Sequence, residues 1–346
     1  MARDWERALF ERCRRAWDFS ARSRRNLAPI PDAASVDLDR AIHEALAVYY
    51  FPGMWAWDRA IVRPLTVAAL RRSLASQAEQ AGSSVGDAVD GAFGASREQG
   101  EALLETYFGW ASTADRFEPI RVQAEFDVSL PGLDDPDHDL TGPDGTPVRY
   151  RGRIDALILD EAGALWLMDH RITSHATPVS ELILDDDLLS KAVAWQRDAL
   201  ATRVAGTVYN ELQLGASPGP AVADEPPPEG VVRTIAGPFR RTWVPRDEAV
   251  LAAAGDIVGR QSLEMTDPEV AVYPSPGPDI CPTCPYLTPC TMMFRGVDPE
   301  ALLATHYAVR SDSEVHAGRL GSVTWSIGRG AAPPRFGRSS GGQPPG

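Results

Sequence analysis

Lysine is almost absent from this chain: of its 34 basic residues, Lys191 is the one that is not an arginine. Cysteine is scarce too, with four in 346 residues. No stretch approaches the roughly 18 apolar residues that a membrane span needs, so no membrane role is expected. The opening MARDWERALF is charged and helical in character, unlike a secretory signal. Together these features lead us to expect a cytoplasmic protein, where thiols stay reduced and clustered cysteines mean metal more often than disulfide. Positive charge is in deficit. The net charge of -14 argues against a uniformly basic nucleic-acid coat and leaves a local basic groove open. A hydrophobic content of 44% is ample for a core.

The four cysteines sit at the two ends: Cys13 near the start, then Cys281, Cys284 and Cys290 in CPTCPYLTPC. The late trio has C-x2-C-x5-C spacing, too short for three independent disulfides and suited to thiolates around one metal centre. With Cys13 as the fourth ligand, that centre staples the N-terminal helix to the C-terminal segment. Spacing alone does not separate a tetrahedral Zn2+ from a 4Fe-4S cluster.

Between these ends the patterning is mixed. Residues 4–25 read as one helix with Leu9, Phe10, Cys13 and Trp17 at helical spacing. A second helix follows Asp37 as N-cap and carries His43. Residues 55–112 read as helical with a break near Gly82–Gly86, and a strand runs from Ile120 to Leu130. VRYRGRIDALILD and ALWLMDHRIT, separated by EAG, read as a hairpin with glycine closing its loop. A helix over 190–204, a strand in VAGTVYNELQL and a helix over 247–264 complete the α/β pattern. The segment ASPGPAVADEPPPEG reads as a flexible insert, and 311–346 as a disordered Gly/Ser/Pro-rich tail after a domain spanning 1–310.

The hairpin carries the chemistry. Its loop places Asp155 directly opposite Asp169, where side chains on one face stand about 4.5 to 5.5 Å apart at Cβ and like charges repel. Alternation adds Arg149, Arg151 and Arg153 to one strand's side and Arg171 to the other's. A carboxylate pair that needs a cation, beside guanidiniums fit for phosphates, is a nuclease layout. The competing reading is cross-strand salt bridging of the aspartates to Arg153 and Arg171.

In order, these residues resemble the PD-(D/E)XK nuclease superfamily, specifically the RecB-like branch with an iron–sulfur staple. That branch includes CRISPR-associated four-cysteine exonucleases and AddB-type helicase–nuclease subunits. FERCRRAWDF is similar to its opening helix, AIHEAL to its metal-histidine helix, GRIDALIL to the strand of its first metal aspartate, and LMDHR to its acidic-x-lysine segment. AWQRDAL falls where that branch has glutamine and, four residues on, tyrosine.

The resemblance implies an αβββαβ nuclease core with helical additions and a metal cluster linking the two ends. It also implies a metal-dependent deoxyribonuclease, an exonuclease or end-processing enzyme of recombination or repair, acting on DNA with a free end and with a helicase or recombination partner. Mg2+ or Mn2+ is then held by His43, Asp155 and Asp169, with Arg171 and Gln196 stabilising phosphate charge and a 4Fe-4S cluster on Cys13, Cys281, Cys284 and Cys290. Two positions depart from the branch: Arg171 stands for its lysine and Leu200 for its tyrosine. Arginine keeps the charge but never deprotonates, and its fork differs in shape. The alternative function is a catalytically weak or inactive nuclease fold acting as a DNA- or protein-binding scaffold.

Several residues carry two readings. His43 is a metal ligand or a satisfied core histidine. Arg14 and Arg15, with the other N-terminal arginines, form a phosphate track together with Arg151 and Arg153, or a solvated helix face. Trp57 and its neighbouring aromatics stack bases or fill the core. Glu125 reads as an ordinary strand-surface glutamate, and His170 and His175 have no assigned role. Lys191 reads as a stand-in for the lysine of that branch or, since it lies roughly 140° around its helix from Gln196, as a solvated surface lysine, the ordinary case.

Overall fold

The computed structural model describes residues 2–30, 36–80, 86–135, 138–197, 203–223, 229–278 and 280–310. The expected disordered tail, Leu200, Asp224–Pro228 of the expected insert and most of the expected Gly82–Gly86 break lie outside these residues. The chain opens with a short strand β1 (Ala2–Arg3), then α1 (Asp4–Arg12) and α2 (Arg14–Ser20). The single helix expected over 4–25 is therefore two. Cys13 sits between them in extended conformation, φ -162° and ψ 107°. A distant segment crosses at this break: Arg15 N donates to Tyr273 O at 3.0 Å, and Ser275 N donates to Cys13 Sγ at 3.4 Å. Tertiary partners for the first N–H groups of α2 outweigh local helicity.

After β2 (Leu27–Pro29) comes α3 (Leu38–Tyr49), whose cap is the expected one: Asp37 accepts from Arg40 N at 2.8 Å. Two long helices follow, α4 (Arg59–Gln80) and α5 (Gly86–Ala114), then the strands β3 (Phe117–Ser129), β4 (Arg149–Asp160) and β5 (Leu165–Thr173). A crossover through α6 (Val179–Ile183) and α7 (Asp186–Arg197) leads to β6 (Val204–Gln213), parallel to β5. The remaining elements are β7 (Val222–Ala223), β8 (Arg233–Ala236), β9 (Arg240–Pro245), α8 (Glu248–Thr266), α9 (Leu287–Phe294), α10 (Glu300–His306) and β10 (Tyr307–Val309). The order α3, β3, β4, β5, α7, β6 is the expected αβββαβ arrangement. No described helix is long and apolar enough to cross a membrane.

One mixed sheet runs β1-β4-β5-β6-β9-β8-β7, with β3 on the other edge of β4. Helices cover both faces. On one side Phe10 of α1, Leu188 of α7 and Val258 of α8 pack with Leu157, Leu165 and Leu167. On the other, Ile42 of α3, Leu70 of α4 and Phe108 of α5 pack with Ile158, Trp166 and Met168. Period-two alternation in β5 thus supplies both cores, each fully buried leucine worth about 1.5–3 kcal/mol.

The two chain ends meet in a third, smaller cluster. Cys13, Phe19, Leu27, Tyr286 and Leu303 are buried together, β2 pairs with β10, and Tyr286 OH donates to Leu27 O at 2.7 Å.

Candidate active site

A strand has two hydrogen-bonding edges, and β4 shares one of them between two partners. β3 takes the whole of one edge. On the other, β5 pairs from Leu159↔Leu165 only as far as Ala156↔Met168, in the expected register, with Gly163 at φ 79° in the loop. Farther back the same edge pairs with β1, at Tyr150 and Arg151. Between these contacts the sheet splits, and side chains bond the freed backbone groups. Asp155 Oδ2 accepts the His170 N–H at 2.9 Å, and Asp4 Oδ2 accepts the Arg153 N–H at 3.3 Å. Gly152 makes room for Asp4, because a Cβ there would stand 2.5 Å from its Oδ2.

The expected shared face for Asp155 and Asp169 is corrected by this split. Alternation back from Leu157 puts Asp155 toward α7, yet Ile154 occupies that core while Ala156 and Ile158 belong to the other. The phase of β4 slips at Asp155, beside Gln123 of β3, whose φ of 48° is left-handed. Asp155 therefore turns toward α3, where its Oδ2 lies 3.2 Å from His43 Nε2.

His43 is buried, with Nε2 2.7 Å from His170 O and Nδ1 2.8 Å from Asp39 O. Three donor atoms from three elements thus meet in the split: His43 Nε2, Asp155 Oδ2 and the His170 carbonyl. His170 also has a place. Its ring stacks on Tyr50 at 5.6 Å, and its Nδ1 is 2.9 Å from Asn210 Nδ2. Asn210 in turn meets Tyr107 OH and the fully buried Arg241, which pairs with Asp115 at 2.8 Å.

Asp169 turns the other way. Arg171 Nε donates to Asp169 Oδ2 at 2.9 Å and its Nη2 to Asp185 Oδ2 at 2.7 Å, while its guanidinium lies 4.6 Å from the centre of the Tyr209 ring. Burial works against the Arg171 charge, and the two carboxylates more than offset it. Burial pushes the Asp185 carboxyl up despite Arg171. Among the described residues, no group of three or more His, Cys, Asp or Glu side chains is placed to hold a metal ion. His43 and Asp155 are together, while Asp169 is bonded to arginine.

Lys191 is not a surface lysine. It is 9% exposed, and its Nζ donates to Asp187 Oδ2 at 2.7 Å. Burial opposes its charge, but Asp187, Asp169 and Asp4, in that order, hold it protonated. Spacing concealed this because α7 is buried on most of its circumference, and sequence reasoning passed over Asp4, Asp185 and Asp187. The available signal was the lone lysine four residues after an Asp-Asp-Asp run. Gln196, in the last turn of α7, has a buried Oε1 without a hydrogen bond among the described residues.

The four cysteines lie within electrostatic reach of one another, but among the described residues no three of them are placed to hold a metal ion. The charge of Cys284 feels those of Cys13, Cys290 and Cys281, and burial pushes its thiol up. Burial also pushes Cys290 up, with Arg15 pulling it back. Burial lowers Arg12 while the charges of Cys284, Cys13 and Cys281 act to raise it. None of the four is in a disulfide.

The remaining arginines are largely engaged within the protein. Arg14 pairs with Glu264 at 2.5 Å and lies 4.6 Å from the Phe10 ring centre. Arg15 donates to Met293 Sδ at 3.1 Å. Arg151 and Arg149 both bond Asp127, and Arg153 stands beside the split through its backbone N–H. Glu125 is exposed, as expected of a strand-surface glutamate, and His175 is exposed beside Ser174.

No curated protein matches the chain. Among solved structures it is similar to the crystal structure of SSO0001, at 10% identity and a TM-score of 0.29, covering 75% of this chain and 87% of that one. A likeness so low carries no weight for the site. The family model of the PD-(D/E)XK nuclease superfamily matches residues 7–291, a span that holds the split, both hairpin aspartates, α7 and all four cysteines. By that match the chain belongs to the PD-(D/E)XK nuclease superfamily.

Proposed function

We propose that this nuclease-superfamily protein is a metal-dependent deoxyribonuclease that processes DNA ends in recombination or repair, with a helicase or recombination partner. We assign it to the RecB-like branch. The observation that carries the reading is the convergence of His43 Nε2, Asp155 Oδ2 and His170 O in the gap between β4 and β5. A nitrogen, a carboxylate and a carbonyl oxygen form a donor set suited to a hard divalent cation. His43 and Asp155 would hold it, with Asp169 joining on release from Arg171. Mg2+ or Mn2+ bound there supplies polarisation of the scissile phosphate and a lowered pKa for the attacking water.

The protein's own groups prepare that site. Asp39 O braces the far side of the His43 ring and aims Nε2 into the gap. The His170 N–H fixes the Asp155 carboxylate. Until that release, Arg171 holds Asp169 and Asp185 in place. Across the molecule, four thiols lie within electrostatic reach of one another, and thiolates are the soft donor type that a 4Fe-4S cluster or Zn2+ takes, although among the described residues no three are placed to hold one. We favour the iron–sulfur cluster, as a structural staple of the chain ends within a domain spanning 1–310, in a cytoplasmic protein.

The test is Mn2+- and Mg2+-dependent degradation of end-labelled single- and double-stranded DNA, with Asp155→Ala as control. Cleavage by the native protein and none by the variant is expected. Intact DNA with the cluster-loaded native protein overturns the reading. A second reading, a nuclease fold that binds DNA or protein without cutting, is favoured by one observation: Arg171 is clamped between two carboxylates.

A further inference from the structure

The corner that joins α3 to α4 carries aromatic rings that the nuclease reading leaves unused. Of the aromatics named with the N-terminal arginines, Trp17, Phe19, Tyr49 and Tyr50 are core residues, each at most 2% exposed. Phe51 and Trp57 are 48% and 50% exposed. Phe51 is also held in place. Its ring lies against Gly53, where an added Cβ would stand 2.7 Å from its Cε1. A ring backed by main chain on one side and open to solvent on the other is a platform for a second flat ring.

The corner adjoins the split and carries positive charge. The Tyr50 ring stacks on His170 at 5.6 Å and on Trp55 at 6.0 Å, so aromatic contact runs from the split to the base of the corner. His43 lies on α3, about 9 Å along the axis from Tyr49, where that helix ends. Arg59 and Arg63, one turn apart on α4, bond backbone carbonyls: Arg59 Nη1 to Tyr49 O and Arg63 Nη2 to Phe108 O, both at 3.3 Å. Among the described residues no carboxylate forms an ion pair with either. The Arg59 guanidinium stands 4.6 Å from the centre of the Trp55 ring. Asp58, beside them in sequence, accepts from Ala60 N at 2.8 Å. Ile61 and Leu65 continue the apolar face along α4, and they alone would suit a protein helix. The open rings and the guanidiniums at the head of α4 favour a partner with flat faces and negative charge, which is a strand of unpaired bases.

Resting on the nuclease reading, we propose that the α3–α4 corner is a single-strand platform: Phe51 and Trp57 stack unpaired DNA bases, and Arg59 and Arg63 lend positive charge to the strand's backbone. Duplex DNA keeps its base faces inside the stack, so the platform selects single strands and presents them beside the His43 side of the split.

The experiment measures binding by fluorescence anisotropy without divalent cations, so that nothing is cut. The probes are an oligodeoxythymidylate of about 16 nucleotides, the same strand made abasic, and a duplex of equal length. The proteins are native, Phe51→Ala, Trp57→Ala and Trp57→Phe, with folding followed by circular dichroism. Each alanine variant is expected to bind the thymidylate strand about 5- to 150-fold more weakly, the scale for one lost stacked base. Duplex binding should stay within about twofold, and Trp57→Phe should recover most of the loss. The abasic strand should bind the native protein weakly and the alanine variants no worse. Alanine variants that bind the thymidylate strand within about twofold of native overturn the proposal and leave the face to a protein partner. An equal loss on base-bearing and abasic strands also overturns it, because the contact is then to the backbone. Mn2+-dependent cleavage, with Asp155→Ala as control, reads the nuclease separately. Intact DNA with ring-dependent binding overturns the nuclease reading and leaves the platform; cleavage with ring-independent binding does the reverse.

Discussion

Arg171 Nε donates to Asp169 Oδ2 at 2.9 Å, two residues back on the same face of β5. With Asp185 on its other arm, the guanidinium is the shared counterion of two carboxylates. Removing it takes the arginine from both, leaving Asp185 only the Leu188 N–H at 3.3 Å and Asp169 the field of Lys191. Arg171→Met is expected to cost about 3–5 kcal/mol in denaturant unfolding, the usual penalty for breaking a buried pair. A loss under about 1 kcal/mol would show that solvent already screens these charges.

Arg171→Lys asks a different question, since it restores the residue type that the RecB-like branch has here. If Arg171 only positions Asp169, the lysine variant should cut within about tenfold of native, as expected for one altered hydrogen-bond geometry. A gain of about 100-fold would instead identify the native protein as an impaired nuclease. Mn2+-dependent cleavage of end-labelled DNA reads out either result.

The hairpin was legible in the sequence because three local signals agreed: the glycine of its loop, the alternation of Leu165 and Leu167, and a register that the structure reproduces down to Ala156↔Met168. The phase slip at Asp155 was not legible, because it depends on Gln123 of the neighbouring strand and on β1 taking over the vacated edge. The helical spacing of Cys13 with Phe10 and Trp17 matches their common burial, but the break at Cys13 is imposed by Tyr273 and Ser275, more than 250 residues away. β9 escaped notice because its Arg240 and Arg241 look exposed. Their charges are met by Glu211 and Asp115, which only the fold brings near. Lys191 was misread for the same reason, since Asp4 and Asp169 approach it through space.

Asn210 ties the His43 side of the split to the core. It stands between His170 Nδ1 and Arg241 Nε, at 2.9 and 3.1 Å. Asn210→Leu leaves the buried Arg241 short of an acceptor and is expected to cost about 1–3 kcal/mol of stability. Because His170 carries both the N–H that fixes Asp155 and the carbonyl that faces His43, cleavage should fall through kcat more than KM. A stability loss with unchanged kcat would confine the network to a packing role.

Burial pushes the hydroxyls of Tyr107 and Tyr150 up to about 12 from the ordinary 10.0. A folded-state value above the unfolded one means that the contribution is complete below pH 10 and is lost as pH rises toward 12. At 1.36 kcal/mol per pH unit, each tyrosine accounts for about 2.7 kcal/mol. Unfolding monitored by circular dichroism should therefore coincide with the rise of tyrosinate absorbance in that window. Because Tyr273 is exposed, the signal to read is the difference from a Tyr107→Phe, Tyr150→Phe protein: tyrosinate from these two appearing near pH 10 in the folded protein would contradict the burial argument.

The proposed cysteine centre yields the most direct spectroscopic test. Cys13 is 8% exposed and packs with Phe19 and Tyr286, so the N-terminal helices already lean on the C-terminal segment through apolar contact. A cluster bound there adds its binding free energy to folding, because the unfolded chain holds no such site. Cys281→Ser is then expected to abolish the brown colour of anaerobically purified protein and to lower the melting temperature by at least about 5 °C. Cys13→Ser should do the same, although it lies 268 positions earlier in the sequence. Two variants at opposite ends of the chain with one shared loss are what a staple requires. An unchanged melting temperature in the colourless Cys281→Ser protein would defeat the structural role. Colourless native protein containing zinc would replace iron with Zn2+ and leave the staple in place.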